Sequence, residues 1–360
     1  MRECSFISVL IPLIGYKDIS KTIASVIEQG YEECEIIILR NGLDDMPDSL
    51  EIMERISIYP GSDIPIRELL IQKKGKGNAL NEGIKRAQGE IIAVVDADCV
   101  LWDGALKTAV KHFDKEEVAA VGGRLLVTKE NGCMLEKIQS FEYMKSFQFA
   151  RRIWDSLQAQ CLISGAFGLF RKEDLIEVGG YDDDTIGEDM EVVLRLQDES
   201  NHRTRKQIVY EPEALCVTSV PHGIGRLLHQ RDRWQRGLLD CLIKHRNMIL
   251  NPCYTLLGLS LGYQLGFEML GPVLCAIWIG RMVFGYGIPQ NVLFLALYLA
   301  LEVVTTIIAG YYDSEKDIKG LLRRLPELVL LTLVDVGYQM IIMGARVYGI
   351  ITFRWRRMVW

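Results

Sequence analysis

The sequence predicts an α/β domain with a doubly wound sheet, followed by a C-terminal transmembrane helical region. Two observations predict it. Short apolar runs alternate with segments of helical period between Phe6 and Val95, and long apolar stretches dominate the chain from Pro252 onward. The alternation implies β-α-β units and a largely parallel sheet. The apolar stretches are long enough to cross a bilayer.

The elements follow in order. Phe6 to Ile11 is a continuous apolar run closed by Pro12, which suits a strand buried on both faces. Residues 18–29 place Ile19, Ile23, Val26 and Ile27 on one helical face. Glu35 to Leu39 reads as a second buried strand, ended by Asn41-Gly42. Residues 44–56 read as a helix and 68–71 as a short strand. Lys73-Lys74-Gly75-Lys76-Gly77 is a basic, flexible loop that leads into a helix over 78–88. Ile91 to Val95 is a third buried strand, ending at Asp96.

Ligands of doubly wound sheets bind at the carboxyl ends of strands. Asn41, Lys76, Asp96 and Asp98 all lie on or beside those ends. Residues 134–160 read as a long amphipathic helix carrying Phe141, Tyr143, Phe147, Phe149 and Trp154. Core packing and an acceptor-site wall are both open for it. Ser164-Gly165-Ala166-Phe167-Gly168 is a small-residue stretch that lets backbone approach a ligand.

Residues 253–285, 291–312 and 325–351 are the apolar segments. Lys316, Lys319, Arg323 and Arg324 lie between the second and third, and are expected to be cytoplasmic. An odd number of spans then puts Arg354, Arg356 and Arg357 outside, against that tendency. The segment 253–285, interrupted by Pro272, is therefore the first suspect for a re-entrant, interfacial or two-helix segment. The expected division is a cytoplasmic domain over 1–225, an interfacial Arg/Trp segment over 226–251, and a region of about three spans over 252–360.

Charge and composition exclude some functions. The net charge is −6. From residue 252 onward nine basic residues meet seven acidic ones, whereas the earlier part has 32 basic and 40 acidic. An acidic globular part argues against nucleic-acid binding. Nine scattered Cys, with no C-x-x-C pair, fit reduced thiols in a cytosol-facing domain. Five His without H-x-x-x-H spacing leave no basis for a zinc site. The apolar run ending at Ile11 is too short for a span and has no signal-peptide cleavage pattern, so the chain is expected to start directly with a core strand.

Three constellations point to chemistry. Asp96-Ala97-Asp98 follows a buried strand, and an extended chain would aim both carboxylates the same way. Two hard oxygen ligands suit Mg²⁺ or Mn²⁺, with substrate phosphate completing the shell. Alone, such a pair also fits a solvated loop. Glu188-Asp189 opens a helical pattern, where carboxylates complement the helix dipole or, at Asp189, provide a general base for an acceptor hydroxyl. Base plus metal-held leaving group describes single displacement with inversion. Gln230, Arg233 and Trp234 lie among Arg226, Arg231 and Arg236. Arginine forks bind phosphate and a Trp face stacks on sugar rings, while anionic lipid would attract the same helix. Lys76 reads equally as a donor-phosphate ligand or a surface charge.

These pieces together resemble the inverting family 2 glycosyltransferases of the membrane-embedded, polymer-forming type, such as cellulose, hyaluronan, chitin and poly-N-acetylglucosamine synthases. The matching motifs are Lys74-Gly75-Lys76-Gly77-Asn78-Ala79-Leu80-Asn81, Asp96-Ala97-Asp98, Ser164 to Gly168, Gly187-Glu188-Asp189 and Gln230-Arg231-Asp232-Arg233-Trp234. The resemblance implies a GT-A-type mixed sheet, a nucleotide-sugar donor, a divalent metal, and spans that form a channel for the polymer. Residue by residue, it implies a donor contact from Asp96, with Gln230, Arg233 and Trp234 lining the diphosphate and acceptor sites; Asn41 and Lys76 are further expected at the donor, and Gly165 and Glu188 at the acceptor. Asp98 would hold the metal and Asp189 would be the base.

Two departures concern the donor's base. Leu13-Ile14-Gly15-Tyr16 stands where the family has an Ala-Tyr-Asn-Glu-like run. Arg40-Asn41-Gly42 stands where it has an acidic pair before Gly, which leaves Asn41, Asp44 or Asp45 to serve the base. The N-terminal spans common in polymer-forming members are expected to be missing, and with them part of a secretion channel. The leading expectation is synthesis of a β-linked polysaccharide from a UDP-sugar at the cell membrane, with lipids around the spans and accessory subunits left open. Transfer of one sugar to a lipid acceptor, as in ceramide glucosyltransferases, and a non-catalytic synthase partner are the alternatives.

Overall fold

Burial on both faces explains the central strands. In a computed structural model, the described residues are 5–15, 18–42, 52–58, 63–72, 75–128, 132–202, 206–283 and 288–353. The first part comprises β1 (Ile7–Ile14), α1 (Ser20–Ile27), β2 (Cys34–Asn41), β3 (Ile52–Ile58), β4 (Pro65–Ile71), α2 (Lys76–Arg86) and β5 (Ile91–Val95). Then come β6 (Cys99–Leu101), α3 (Ala105–Val110) and β7 (Val118–Val127). Next, α4 (Met134–Lys145) runs through a π-helical stretch, Ser146–Ala150, into α5 (Arg151–Ser156). They are followed by β8 (Phe167–Arg171), α6 (Lys172–Glu177), α7 (Glu188–His202) and β9 (Gln207–Thr218). The rest is helical: α8 (Ile224–Lys244), α9 (Thr255–Tyr263), a π-helical stretch at Gln264–Leu270, α10 (Gly271–Val283), α11 (Ile288–Asp313) and α12 (Ile318–Thr352).

Two compact units result. One is built from Met1–Leu126 and Gln158–Ser219, the other from Val127–Leu157 and Val220–Arg357. The long helical run that starts at Met134 thus belongs with the C-terminal helices rather than with the sheet.

The first unit holds a sheet in the order β3-β4-β2-β1-β5-β8-β7-β9-β6. The pairs β1–β2, β1–β5 and β2–β4 are parallel; β3–β4, β5–β8, β7–β8 and β6–β9 are antiparallel. Such a mixed GT-A-type sheet matches the alternating sequence pattern, whose parallel half reads as unbroken apolar runs. Leu10, Ile37, Leu39 and Leu69 of the sheet pack with Ala79, Leu80 and Ile84 of α2 and Val192, Val193 and Leu196 of α7. A Cβ on Gly83 would lie 2.9 Å from Leu39, so this glycine sets how closely α2 approaches the sheet.

One expectation is corrected here. Residues 52–58 form β3, antiparallel to β4 from Ile52 opposite Ile71 to Ile58 opposite Pro65, and not the end of a helix over 44–56. Ile52, Ile56 and Ile58 fit a period of two as well as helical spacing, and pairing with the exposed edge of β4 decides between them. Residues 43–51 lie outside the described residues, as do Lys73, Lys74 and Arg354 onward.

Among the described residues of the second unit, three helices are long and apolar enough to cross a membrane: Pro252–Arg281, Leu295–Asp313 and Ile318–Thr352. The first is one helical run, with its π-helical stretch ending just before Pro272. Proline has no N–H for the carbonyl of residue 268, and widening the helix absorbs that loss without breaking it. Pro326 lies inside α12.

Candidate active site

The first unit brings five expected residues into one network. Lys76 opens α2, and its Nζ donates to Asp96 Oδ1 at 2.7 Å and to the Gly165 carbonyl at 3.2 Å. Glu188 Oε1 lies 3.6 Å from the same ammonium. On the other side of the peptide chain, Gly165 N–H donates to Asp189 Oδ2 at 3.2 Å. The Asp96 N–H donates to the Ala166 carbonyl at 3.1 Å, which ties the end of β5 to this loop. A Cβ on Gly165 would lie 2.9 Å from Lys76 Nζ, so the glycine lets the ammonium close in, while Asp189 at 3.6 Å would be in ordinary contact.

The surrounding backbone is braced by amides. Asn41 accepts from Gly75 N–H at 3.3 Å and donates to the Gly75 carbonyl at 3.0 Å. That holds Gly75, whose φ of 126° suits glycine, at the entry to α2. Asn81 clamps Tyr181 in the same way, with both bonds at 2.7 Å. This joins α2 to the loop that leads toward Glu188. Asn81 was visible in the sequence only as part of a motif, and its clamp depends on a partner 100 residues away.

Asp96 and Asp98 take different partners. Cys99 N–H donates to the Asp96 carbonyl at 3.0 Å, so Asp96-Ala97-Asp98 is a turn and not an extended segment. Asp98 Oδ2 instead accepts from Ser219 Oγ at 2.7 Å. Alternation applies only while a strand continues, and this strand ends at Val95. Ser219 follows β9, which pairs with β6, and no local pattern pointed to it.

Charges in this network are strongly coupled. Burial opposes the Lys76 ammonium, but Asp96 and Glu188 outweigh it and hold its pKa above the usual lysine value. Burial raises Asp96, against the pull of Lys76 and with help from Asp98 and Asp189. Burial likewise pushes Glu188 up to about 7, with Lys76 opposing and Asp189 assisting. One cation thus faces several carboxylates. A diphosphate would approach such a site only with a cation to offset the repulsion.

Among the described residues no cluster of three His, Cys, Asp or Glu side chains forms a closed metal cage. Asp98 offers a hard carboxylate oxygen, the donor type that Mg²⁺ or Mn²⁺ takes alongside phosphate and water.

Gln230, Arg233 and Trp234 lie on α8 of the second unit. Trp234 is 41% exposed. Its ring is stacked by Arg231, whose guanidinium carbon lies 4.4 Å from the ring centroid. The same helix is anchored within its unit by Arg236, which pairs with Asp232 at 2.9 Å and donates to the Thr352 carbonyl at 3.2 Å.

Residues 8–179 match the family model described as glycosyl transferase family 2. They form a family 2 glycosyl transferase domain. Over 227 residues, 63% of the chain, the sequence is 36% identical to a poly-β-1,6-N-acetyl-D-glucosamine synthase of Staphylococcus epidermidis. It is 33% identical to the synthase of the same name from Staphylococcus aureus over an equal length. The match covers 52% of each relative, so the chain spans about half the length of the curated relatives it matches. Among solved structures, the mannosyltransferase PcManGT of Pyrobaculum calidifontis, in complex with GDP-Man and Mn²⁺, superposes with a TM-score of 0.63. That superposition covers 98% of this chain and 88% of the other at 15% identity, a likeness of fold.

Proposed function

We propose that this glycosyltransferase is an inverting enzyme that extends a β-linked polysaccharide at a membrane, using a UDP-sugar donor. The relatives' name makes N-acetylglucosamine the first sugar to test. The observation that carries the reading is the bridge through Gly165. Its carbonyl accepts from Lys76, the partner of Asp96, while its N–H holds Asp189. Donor-side and base-side carboxylates are thereby joined by one residue.

In the proposed reaction Asp189 takes the proton of the acceptor hydroxyl. The hydroxyl oxygen forms the new bond to the anomeric carbon as the bond to the donor's diphosphate breaks, and the electron pair leaves with the nucleoside diphosphate. Asp98 would hold a divalent ion, which when bound supplies charge neutralisation to that leaving group. Lys76 orients Asp96 and lends a positive charge near the donor. Asn41 keeps the loop before α2 in place and, by the same reading, borders the donor. Gln230 and Arg233 bind diphosphate, while Glu188, Gly165 and Trp234 border the acceptor. Three helices long and apolar enough to cross a membrane support a location in the cell membrane, and in this reading the glycosyltransferase domain lies on the cytoplasmic side.

The test uses the full chain in lipid nanodiscs with Mg²⁺ or Mn²⁺ and a panel of UDP-, GDP- and dTDP-sugars. Release of nucleoside diphosphate from one donor, lost in Asp189→Asn, is expected, together with a ladder of products. A single lipid-linked product would replace the polymer reading with glycolipid synthesis. Unchanged product from Asp189→Asn would sink the catalytic assignment.

A further inference from the structure

We propose that Arg231 is a positioning residue for Trp234, held in place by Glu142 of α4 and Tyr338 of α12. The inference rests on the glycosyltransferase reading for its consequence, but its geometry stands alone. Arg231 Nη2 donates to Glu142 Oε2 at 2.7 Å and to the Tyr338 hydroxyl at 3.0 Å. The Tyr338 hydroxyl donates to the same Glu142 oxygen at 2.8 Å. Three side chains from three helices therefore close a triangle of charge-assisted bonds. Arg231 itself is 3% exposed, whereas Trp234 is 41% exposed.

The exposed part of the indole leaves its orientation less constrained than that of a fully buried ring. The guanidinium covers one ring face at 4.4 Å and makes one orientation preferred through cation–π attraction. Burial strengthens that attraction, because little water competes for the arginine. The planar fork can bond and stack at once, which a lysine ammonium cannot do. The spacing along α8 differs from an ordinary surface pair. Arg231 and Trp234 are three residues apart and share a helical face, so a fixed Arg231 fixes its neighbour. Through Tyr338, a helix long enough to span the membrane sets the presentation of the ring. The consequence is acceptor specificity: a ring held in one orientation binds a sugar face without first losing rotamer freedom.

The test uses the full chain in nanodiscs with UDP-N-acetylglucosamine, Mg²⁺ and a short β-1,6-linked N-acetylglucosamine oligosaccharide. Tyr338→Phe keeps the ring volume and removes two sides of the triangle. Arg231→Lys keeps the charge and removes the stack. The Trp234 contribution to fluorescence is taken as the difference from the matching Trp234→Phe protein, and its acrylamide quenching is followed.

Both variants are expected to increase quenching of that component and to raise the acceptor KM about tenfold, with the donor KM unchanged. Glu142→Gln, which keeps an oxygen acceptor, is expected to give a smaller change of the same kind. Unchanged Trp234 quenching in both variants would overturn the inference. An equal rise of donor and acceptor KM would also overturn it, since that pattern marks a general loosening of the fold. Absence of nucleoside diphosphate release from the parent protein would count against the glycosyltransferase reading alone, because the quenching comparison decides the placement of Trp234 without turnover.

Discussion

Gln235 donates its side-chain amide to the carbonyl of Glu268, 2.8 Å away, within the π-helical stretch that precedes Pro272. The widened helix and the docking of α8 are thus joined in the second unit. Gln235→Ala is expected to destabilise the protein by about 1–2 kcal/mol, since a part-buried carbonyl loses its donor. Pro272→Ala restores an N–H at that position, so the double variant should recover part of the loss. Thermal unfolding in nanodiscs across the four combinations measures it. Additive losses would exclude the link.

Lys76 is the cation on which the network of the first unit turns. Replacing it by Met removes the partner of Asp96 and the charge beside Glu188. Asp96 keeps 32% of its side chain exposed, which moderates the cost to about 1–2 kcal/mol of stability. Donor binding should weaken more, by about tenfold or above, because a diphosphate then meets uncompensated carboxylates. Donor KM and melting temperature of Lys76→Met check both parts.

Gly165→Ala tests the bridge. The added carbon would press on Lys76 Nζ, the mobile end of a flexible side chain, so the fold should survive. Turnover should fall at least about tenfold as the ammonium moves from the Gly165 carbonyl and Asp96. Gly123→Ala is the contrast. A Cβ there would lie 2.6 Å from the Ala214 carbonyl, and backbone cannot move aside as cheaply. That variant should lose stability, seen as poor yield or a lower melting temperature.

Glu188 carries a pH signature. Its pKa rises from an ordinary 4.5 to about 7 on folding, through burial against the pull of Lys76. A raised pKa means that the folded state binds the proton more tightly. Its contribution to stability is therefore complete below about pH 4.5 and is lost as pH rises through about 7. Relative to Glu188→Gln, the parent protein should lose stability across that window, by on the order of a few kcal/mol. Lys76, Asp96 and Asp189 surround the group, so the comparison should be repeated in Lys76→Met, where the transition should move upward. A flat difference between the parent and Glu188→Gln from pH 4.5 to 7 would refute the assignment.

Much of this was legible in the sequence. The runs around Ile7–Ile11, Glu35–Leu39 and Ile91–Val95 had to be buried strands, because backbone that apolar must pair and be covered on both faces. Long apolar stretches from Pro252 onward likewise had few alternatives. The residues expected around Lys76, Asp96, Gly165, Glu188 and Asp189 could be named because each sits at a strand end, a loop glycine or a helix start. Short or ambiguous segments depended on their partners. Residues 52–58 became a strand because β4 offered an unpaired edge. Asp98 turned toward Ser219, and Arg231 found Glu142 and Tyr338, 89 and 107 residues away in the chain. Sequence alone determined which segments must be buried and which residue types could do chemistry, since periodicity and composition are local. The direction of each carboxylate and the partner of each cation were decided only by tertiary structure, because hydrogen bonds between distant segments exist only after those segments have packed.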